Sequence, residues 1–280
     1  MIMKLLVQSD DYALTKAIVD SCCDAFEVGL LKNTGIFMNM PTTQYGLERI
    51  KLYPEVCLGI DINVSTGECL SDPQLIPDLV HEGTKRFIQV SERMKDTKFI
   101  DKCFRPYEQV MIETTAQINK FIEMTGKTPG YIQTHSAAGE KEYVQALSDV
   151  AKEYGIKFRG DVVKQYGFVS LQEAAIGEKY ADHFSKNMSA KEAQIELDIY
   201  SIENQMLNEV GPTLHFLEKL LEQKCEYVFL GTHCGWLSAD LFKYSRCNIN
   251  RVFDHELLTS EKLKKWIEDN NVELITYRDL

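Results

Sequence analysis

The chain has no CxxC pair, no excess of basic residues and no hydrophobic run long enough to cross a bilayer. Each absence removes a class of function. Eight cysteines are present, but the only adjacent pair, Cys22 and Cys23, falls in a helical pattern where neighbouring side chains point in different directions. A structural zinc knuckle is therefore not expected, and the thiols read as reduced, small core residues. The formal net charge is −11, from 31 basic and 42 acidic residues mixed along the sequence. No basic face is available to neutralise a phosphate backbone, so nucleic acid is not an expected partner. Prolines number only seven, and no linker, repeat or low-complexity stretch divides the chain, which predicts one domain over residues 1–280. Residues 1–7 reach an acidic pair too soon for a signal-peptide core or a membrane span. A cytoplasmic protein without a membrane partner is the expectation.

What is present is ordinary for a globular chain: 44% hydrophobic and 26% charged residues over 280 positions, enough to bury a large core. Lys4-Leu5-Leu6-Val7-Gln8 reads as a buried strand that delivers Asp10 and Asp11 at its C-terminal end. Thr15 then caps a helix that Gly29 stops. The pattern repeats, with strands expected over 34–40 and 56–64, a helix over 42–53, and a proline-bearing, loop-rich excursion over 65–90. A helix over 108–125 ends at Gly126. A strand over 131–135 is followed by a helix over 140–154 and a short strand over 157–159. A helix over 189–207, a strand over 227–230 and a last strand over 273–277 complete the reading. Alternation of this kind predicts a parallel sheet with helices outside, an α/β fold for which a single (β/α) barrel is an ordinary form at this length.

Several of these strands end in side chains able to bind a metal or move a proton: Asp10, Asp11, Asp61, His135 and His233. In such barrels the C-terminal strand ends converge on one face, so residues scattered in sequence can meet. Neighbouring side chains in extended backbone point apart, which lets one carboxylate of a pair bind metal while the other takes a proton. An isolated Asp-Asp pair more commonly caps a helix, and an isolated histidine is more commonly structural. Their joint placement at strand ends is what points to an enzyme. Arg159 and Trp236, beside these strand ends, are candidates for holding substrate, through a guanidinium or an aromatic face. Arg251 with Asp254 reads as a structural ion pair, and His81, His183, His215 and His255 as surface or packing residues.

The run from Leu5 through Asp10-Asp11-Tyr12-Ala13 to Thr15 resembles the opening motif of the YdjC-like carbohydrate (chitooligosaccharide-type) deacetylases, which are related to polysaccharide deacetylases. Gly59-Ile60-Asp61-Ile62-Asn63, the helix bearing Glu113 and Gln117, Tyr131-Ile132-Gln133-Thr134-His135, Gly231-Thr232-His233-Cys234-Gly235 and the closing stretch after Arg251 resemble further segments of that family in the same order. The resemblance implies a distorted TIM-like barrel and metal-dependent removal of acetyl groups from small N-acetylated sugars or oligosaccharides. It also implies one divalent metal ion bound by Asp11, His135 and the residue at position 61, with Asp10 as general base and His233 as acid or oxyanion partner.

This chain departs from that pattern at Asp61, where the family has histidine, at Cys234, where it has proline, and after His135, where Ala137 and Gly139 replace further histidines. A carboxylate in place of an imidazole hardens the ligand set and favours Mg²⁺ or Mn²⁺ over zinc. Two alternatives stand beside the deacetylase reading: a sugar-binding member of the same fold with impaired catalysis, and another metal-dependent barrel hydrolase or isomerase. A homo-oligomer is compatible with the chain, though no sequence feature marks an interface.

Overall fold

The computed structural model of the protein describes residues 2–93, 105–136, 140–171 and 208–280. The helix expected over 189–207, together with Ala137, Gly139 and His183, lies outside the described residues. The strands are β1 (Lys4–Tyr12), β2 (Asn33–Ile36), β3 (Cys57–Ile62), β4 (Ile132–Thr134), β5 (Val169–Ser170), β6 (Tyr227–Thr232) and β7 (Glu273–Ile275). All pairings between them are parallel, so every strand presents its C-terminal end to the same face. The order is β4-β3-β2-β1-β6-β5, with β7 also against β1. Beyond β4, Phe158 makes a lone parallel bridge to Ile132 and continues the curl. The result is the expected distorted (β/α) barrel.

β1 is the axis of this sheet because it is paired along both edges. β6 follows one edge from Lys4 to Ser9. The other edge is shared: β7 pairs with Lys4 to Leu6, and β2 takes over from Gln8. Asn33 fills the junction. Its amide donates to the Val7 and Ile275 carbonyls at 3.0 and 3.1 Å, and its oxygen accepts from the Tyr277 N–H at 3.0 Å. These backbone groups lie where neither ladder reaches them, and burying them unpaired would be costly.

Helices α1 (Lys16–Val28), α2 (Thr43–Ile50), α3 (Tyr107–Thr125), α4 (Lys141–Tyr154), α5 (Arg159–Tyr166), α6 (Val210–Glu222), α7 (Ile249–Leu258) and α8 (Glu261–Asp269) accompany the strands. As the sequence predicts, the Thr15 hydroxyl caps α1 and Gly29 stops it in the left-handed conformation. The period-two alternation of β1 divides the core. Leu5 and Val7 pack outward with Ile18, Ile36, Ile60 and Ile132, whereas Leu6 points inward with Tyr131, Phe229 and Tyr277. Tyr131 and Tyr277 stack at 3.9 Å inside the curl, and Gly59 clears the space for Tyr131, since a Cβ there would stand 2.5 Å from the ring.

Several boundaries differ from expectation, among them those near Arg159 and at the end of β2. The strand expected over 157–159 reduces to the single bridge at Phe158, and Arg159 opens α5 instead. β2 stops at Ile36 because the chain turns at residues 38–42 towards α2. The excursion over 63–90 is held by α3. The Glu113 carboxylate accepts from Leu70 N, Ser71 N and Ser71 Oγ, and Gln117 brackets the Asn63 backbone. This tether sets one wall of the cleft described next. The described cysteines are all free thiols, most of them buried, as expected.

Candidate active site

The C-terminal ends of β1, β3, β4 and β6 open into a cleft of about 510 Å³, lined by Asp10, Asp11, Asp61, His135 and His233 among others. The strand-end residues expected to meet are thus brought together. At the end of β1 the backbone leaves regular extension: Asp11 has φ +64° and Ala13 φ +69°, and the ladder to β2 shifts register between Ser9 and Tyr12. Left-handed backbone at non-glycine residues persists only where neighbours enforce it. The twist separates the two carboxylates.

Asp11 is 2% exposed. Its Oδ2 receives the Arg251 guanidinium at 2.5 Å, and His135 Nδ1 stands 2.9 Å from Oδ1. Burial alone would raise the Asp11 carboxyl, but His135 and Arg251 outweigh it and hold the group well below the usual carboxylate range. Apart from the imidazole, Oδ1 has no hydrogen-bond partner. A buried anionic oxygen and a ring nitrogen facing each other without further partners are a donor pair suited to a divalent cation.

His135 is fixed from several sides. Its N–H donates to Ile62 O at 3.1 Å, its ring meets Phe37 edge-on at 4.8 Å, and the Tyr143 hydroxyl bridges Ile62 O and His135 O. Arg105, fully buried, grips Glu140 through two nitrogens and donates to Ser136 O at 2.6 Å, which ties down the turn after His135.

Asp10 is half-buried, with Oδ1 accepting from Gln8 Nε2 at 2.6 Å. Gln8 also donates to Gln133 Oε1 at 2.5 Å and accepts from the Tyr277 hydroxyl at 2.6 Å. Gln133 donates in turn to Asp61 Oδ1. Burial, with the charges of Asp10 and Asp11, pushes the Asp61 carboxyl well above its ordinary pKa. Its Oδ2 accepts from the Asp11 N–H at 2.6 Å, so both Asp61 oxygens are engaged at the cleft floor. Among the described residues no three His, Cys, Asp or Glu side chains are arranged to hold a metal ion.

His233 lies across the cleft, its backbone N–H donating to Asp254 Oδ2 at 2.5 Å. The expected Arg251–Asp254 ion pair is not formed. Asp254 is taken by the His233 N–H and by Asn208 Nδ2 at 2.6 Å, and Arg251, on the same buried face of α7, turns to Asp11. Burial raises the Asp254 carboxyl. Arg159 and Trp236 do not line the cleft. The Arg159 guanidinium lies over the Phe229 ring at 4.4 Å, and Trp236, 40% exposed, packs edge-on against His255. Phe242 and Arg246 line the cleft instead. The residues that sequence reasoning passed over, Gln8 and Gln133, each precede a strand-end residue by two, and that spacing places them on the same inward face.

The model of the family described as YdjC-like protein matches residues 4–269. The chain belongs to that family. It is 26% identical over 282 residues to Carbohydrate deacetylase 2 of Listeria innocua, covering 99% of each chain. To a carbohydrate deacetylase of Clostridium beijerinckii it is 25% identical, covering 99% of this chain and 100% of the other. Among solved structures it resembles one described as a cellobiose-phosphate cleavage protein of Enterococcus faecalis, at a TM-score of 0.73 and 19% identity over 100% of this chain and 99% of the other. That likeness shows a shared fold.

Proposed function

We propose that the protein is a hydrolase that removes acetyl groups from N-acetylated sugars with the help of a divalent metal ion held by Asp11 and His135. The observation that carries the reading is the Asp11–His135 pair, with Asp10 beside it and His233 across the same cleft. Family membership and full-length likeness to carbohydrate deacetylases support the substrate class.

A metal ion bound there would act as a Lewis acid on the acetyl carbonyl and lower the pKa of water. The oxygen-rich surround favours Mg²⁺ or Mn²⁺, with Zn²⁺ as competitor for the imidazole. The protein's own part begins with Asp10, whose carboxylate takes the proton of the attacking water while Gln8 holds its other oxygen in place. The water oxygen bonds to the acetyl carbon, and the amide C–N bond breaks as the nitrogen gains a proton. His233, its backbone held by Asp254, lines the cleft and would serve that nitrogen as acid or the developing oxyanion as donor, where a preorganised donor is worth about 3 kcal/mol. The products are acetate and an amino sugar.

Acetate release from a panel of N-acetylated mono- and disaccharides tests the reading, using metal-stripped protein reloaded with Mg²⁺, Mn²⁺, Co²⁺ or Zn²⁺. Acetate that appears only with metal is the expected result. A second reading, a sugar-binding member without turnover, is favoured by Asp61 at the position where the resemblance implies a histidine ligand. Metal and sugar binding without acetate would select it.

A further inference from the structure

Asp61, next to last in β3, is a wholly buried acid, and its surroundings are built for it. Gly35 on the adjoining β2 makes its seat: any Cβ there would stand 1.9 Å from Asp61 Oδ1. The carboxyl therefore lies over β2 and reaches the end of β1, where Oδ2 accepts the Asp11 N–H at 2.6 Å. The residue so held is the one with φ +64°, followed two positions later by Ala13 at φ +69°. Such a backbone needs an external partner to fix it. Gln133 closes the other side, donating to Oδ1 while its own oxygen accepts from Gln8, which also holds Asp10. One buried carboxyl thus orders both members of the acidic pair from beneath.

We propose that Asp61 is a positioning residue and not a metal ligand: it locks the left-handed turn at Asp11 that aims the Asp11 carboxylate at His135 and Arg251. The inference rests on the metal reading above for what Asp11 is aimed at, but the lock itself belongs to the metal-free chain. Both Asp61 oxygens are already engaged, Oδ2 by the Asp11 N–H and Oδ1 by Gln133, and the group is wholly buried, so its geometry serves the turn rather than a ligand in the cleft.

Asp61→Asn and Asp61→Ala separate the roles. Asparagine keeps an oxygen for the Asp11 amide but removes the anionic ligand, whereas alanine removes both. Calorimetric titration of the metal-stripped proteins with Mn²⁺ should find Asp61→Asn close to the parent, Asp61→Ala weaker by about ten- to a hundredfold, the scale of lost outer support, and Asp11→Asn weaker still. An Asp61→Asn variant that falls as far as Asp11→Asn overturns the proposal. Amide hydrogen exchange at Asp11, followed by NMR in the metal-free proteins, should quicken in Asp61→Ala and not in Asp61→Asn; unchanged exchange in Asp61→Ala also overturns it. Should the alanine variant not fold, the parent alone decides: its Asp11 amide proton should resonate far downfield, as short bonds to a carboxylate do, and an ordinary shift contradicts the lock. A parent that binds no divalent ion defeats the metal reading, while the exchange and shift measurements still decide the role of Asp61.

Discussion

Asp11 collects most of the electrostatic work of the cleft. It is buried, yet the Arg251 guanidinium and the His135 ring hold its carboxyl well below the usual carboxylate range. In the unfolded chain the group titrates at about 3.9. Its folded pKa is the lower, so its contribution to stability is complete above the unfolded value and is lost as the pH falls through the folded one. Asp61 has the opposite sign. Its pKa is raised on folding, so its contribution is complete below the unfolded value and is lost as the pH rises through the folded one. Urea unfolding of the parent and of Asp11→Asn, from about pH 6 to about pH 3, should show the gap between them narrowing as acid is added. A gap that does not change with pH would mean that Asp11 gains nothing from its cationic neighbours.

At the scale of elements, β7 is a three-residue strand that shares one edge of β1 with β2, and Asn33 spans the seam. Replacing Asn33 with alanine leaves two carbonyls and one N–H buried without partners, a loss of roughly 3–9 kcal/mol when each unmet group costs about 1–3. Urea midpoints measure this directly, and a change under about 0.5 kcal/mol would place the effect among ordinary surface substitutions and refute the seam argument. Elements with strong local signals were legible in the sequence. Thr15 and Gly29 bound α1 as read, and the apolar run of β1 delivers Asp10 and Asp11 to its C-terminal end. The start of α5 was not legible, because Phe158 at its N-cap offers no side-chain oxygen and Arg159 carries no helix-start signal. Asn33 was equally hidden. Its role depends on two strands meeting a third, which no local pattern encodes.

At the scale of the molecule, parallel strand order carries Asp10, Asp11, His135 and His233 to one face, and that convergence followed from the alternation of strands and helices alone. The layer beneath did not. Arg251 reaches Asp11 across 240 positions, and Gln8 meets Gln133 across 125, contacts fixed by the curl of the sheet rather than by spacing along the chain. The same limit explains why Arg251 pairs with Asp11 and not with the expected Asp254, since a helix pattern shows which residues share a face but not what that face meets. The proposed function divides the labour of the acidic pair, with Asp11 holding the metal and Asp10 moving the proton. The measurement that tests it most directly is Asp10→Asn beside the parent, with Mn²⁺ affinity and acetate release determined on the same preparations. Metal binding should stay close to the parent's and turnover should fall by about a hundredfold or more, the scale of general-base catalysis; turnover equal to the parent's, with metal bound, would remove Asp10 from the role.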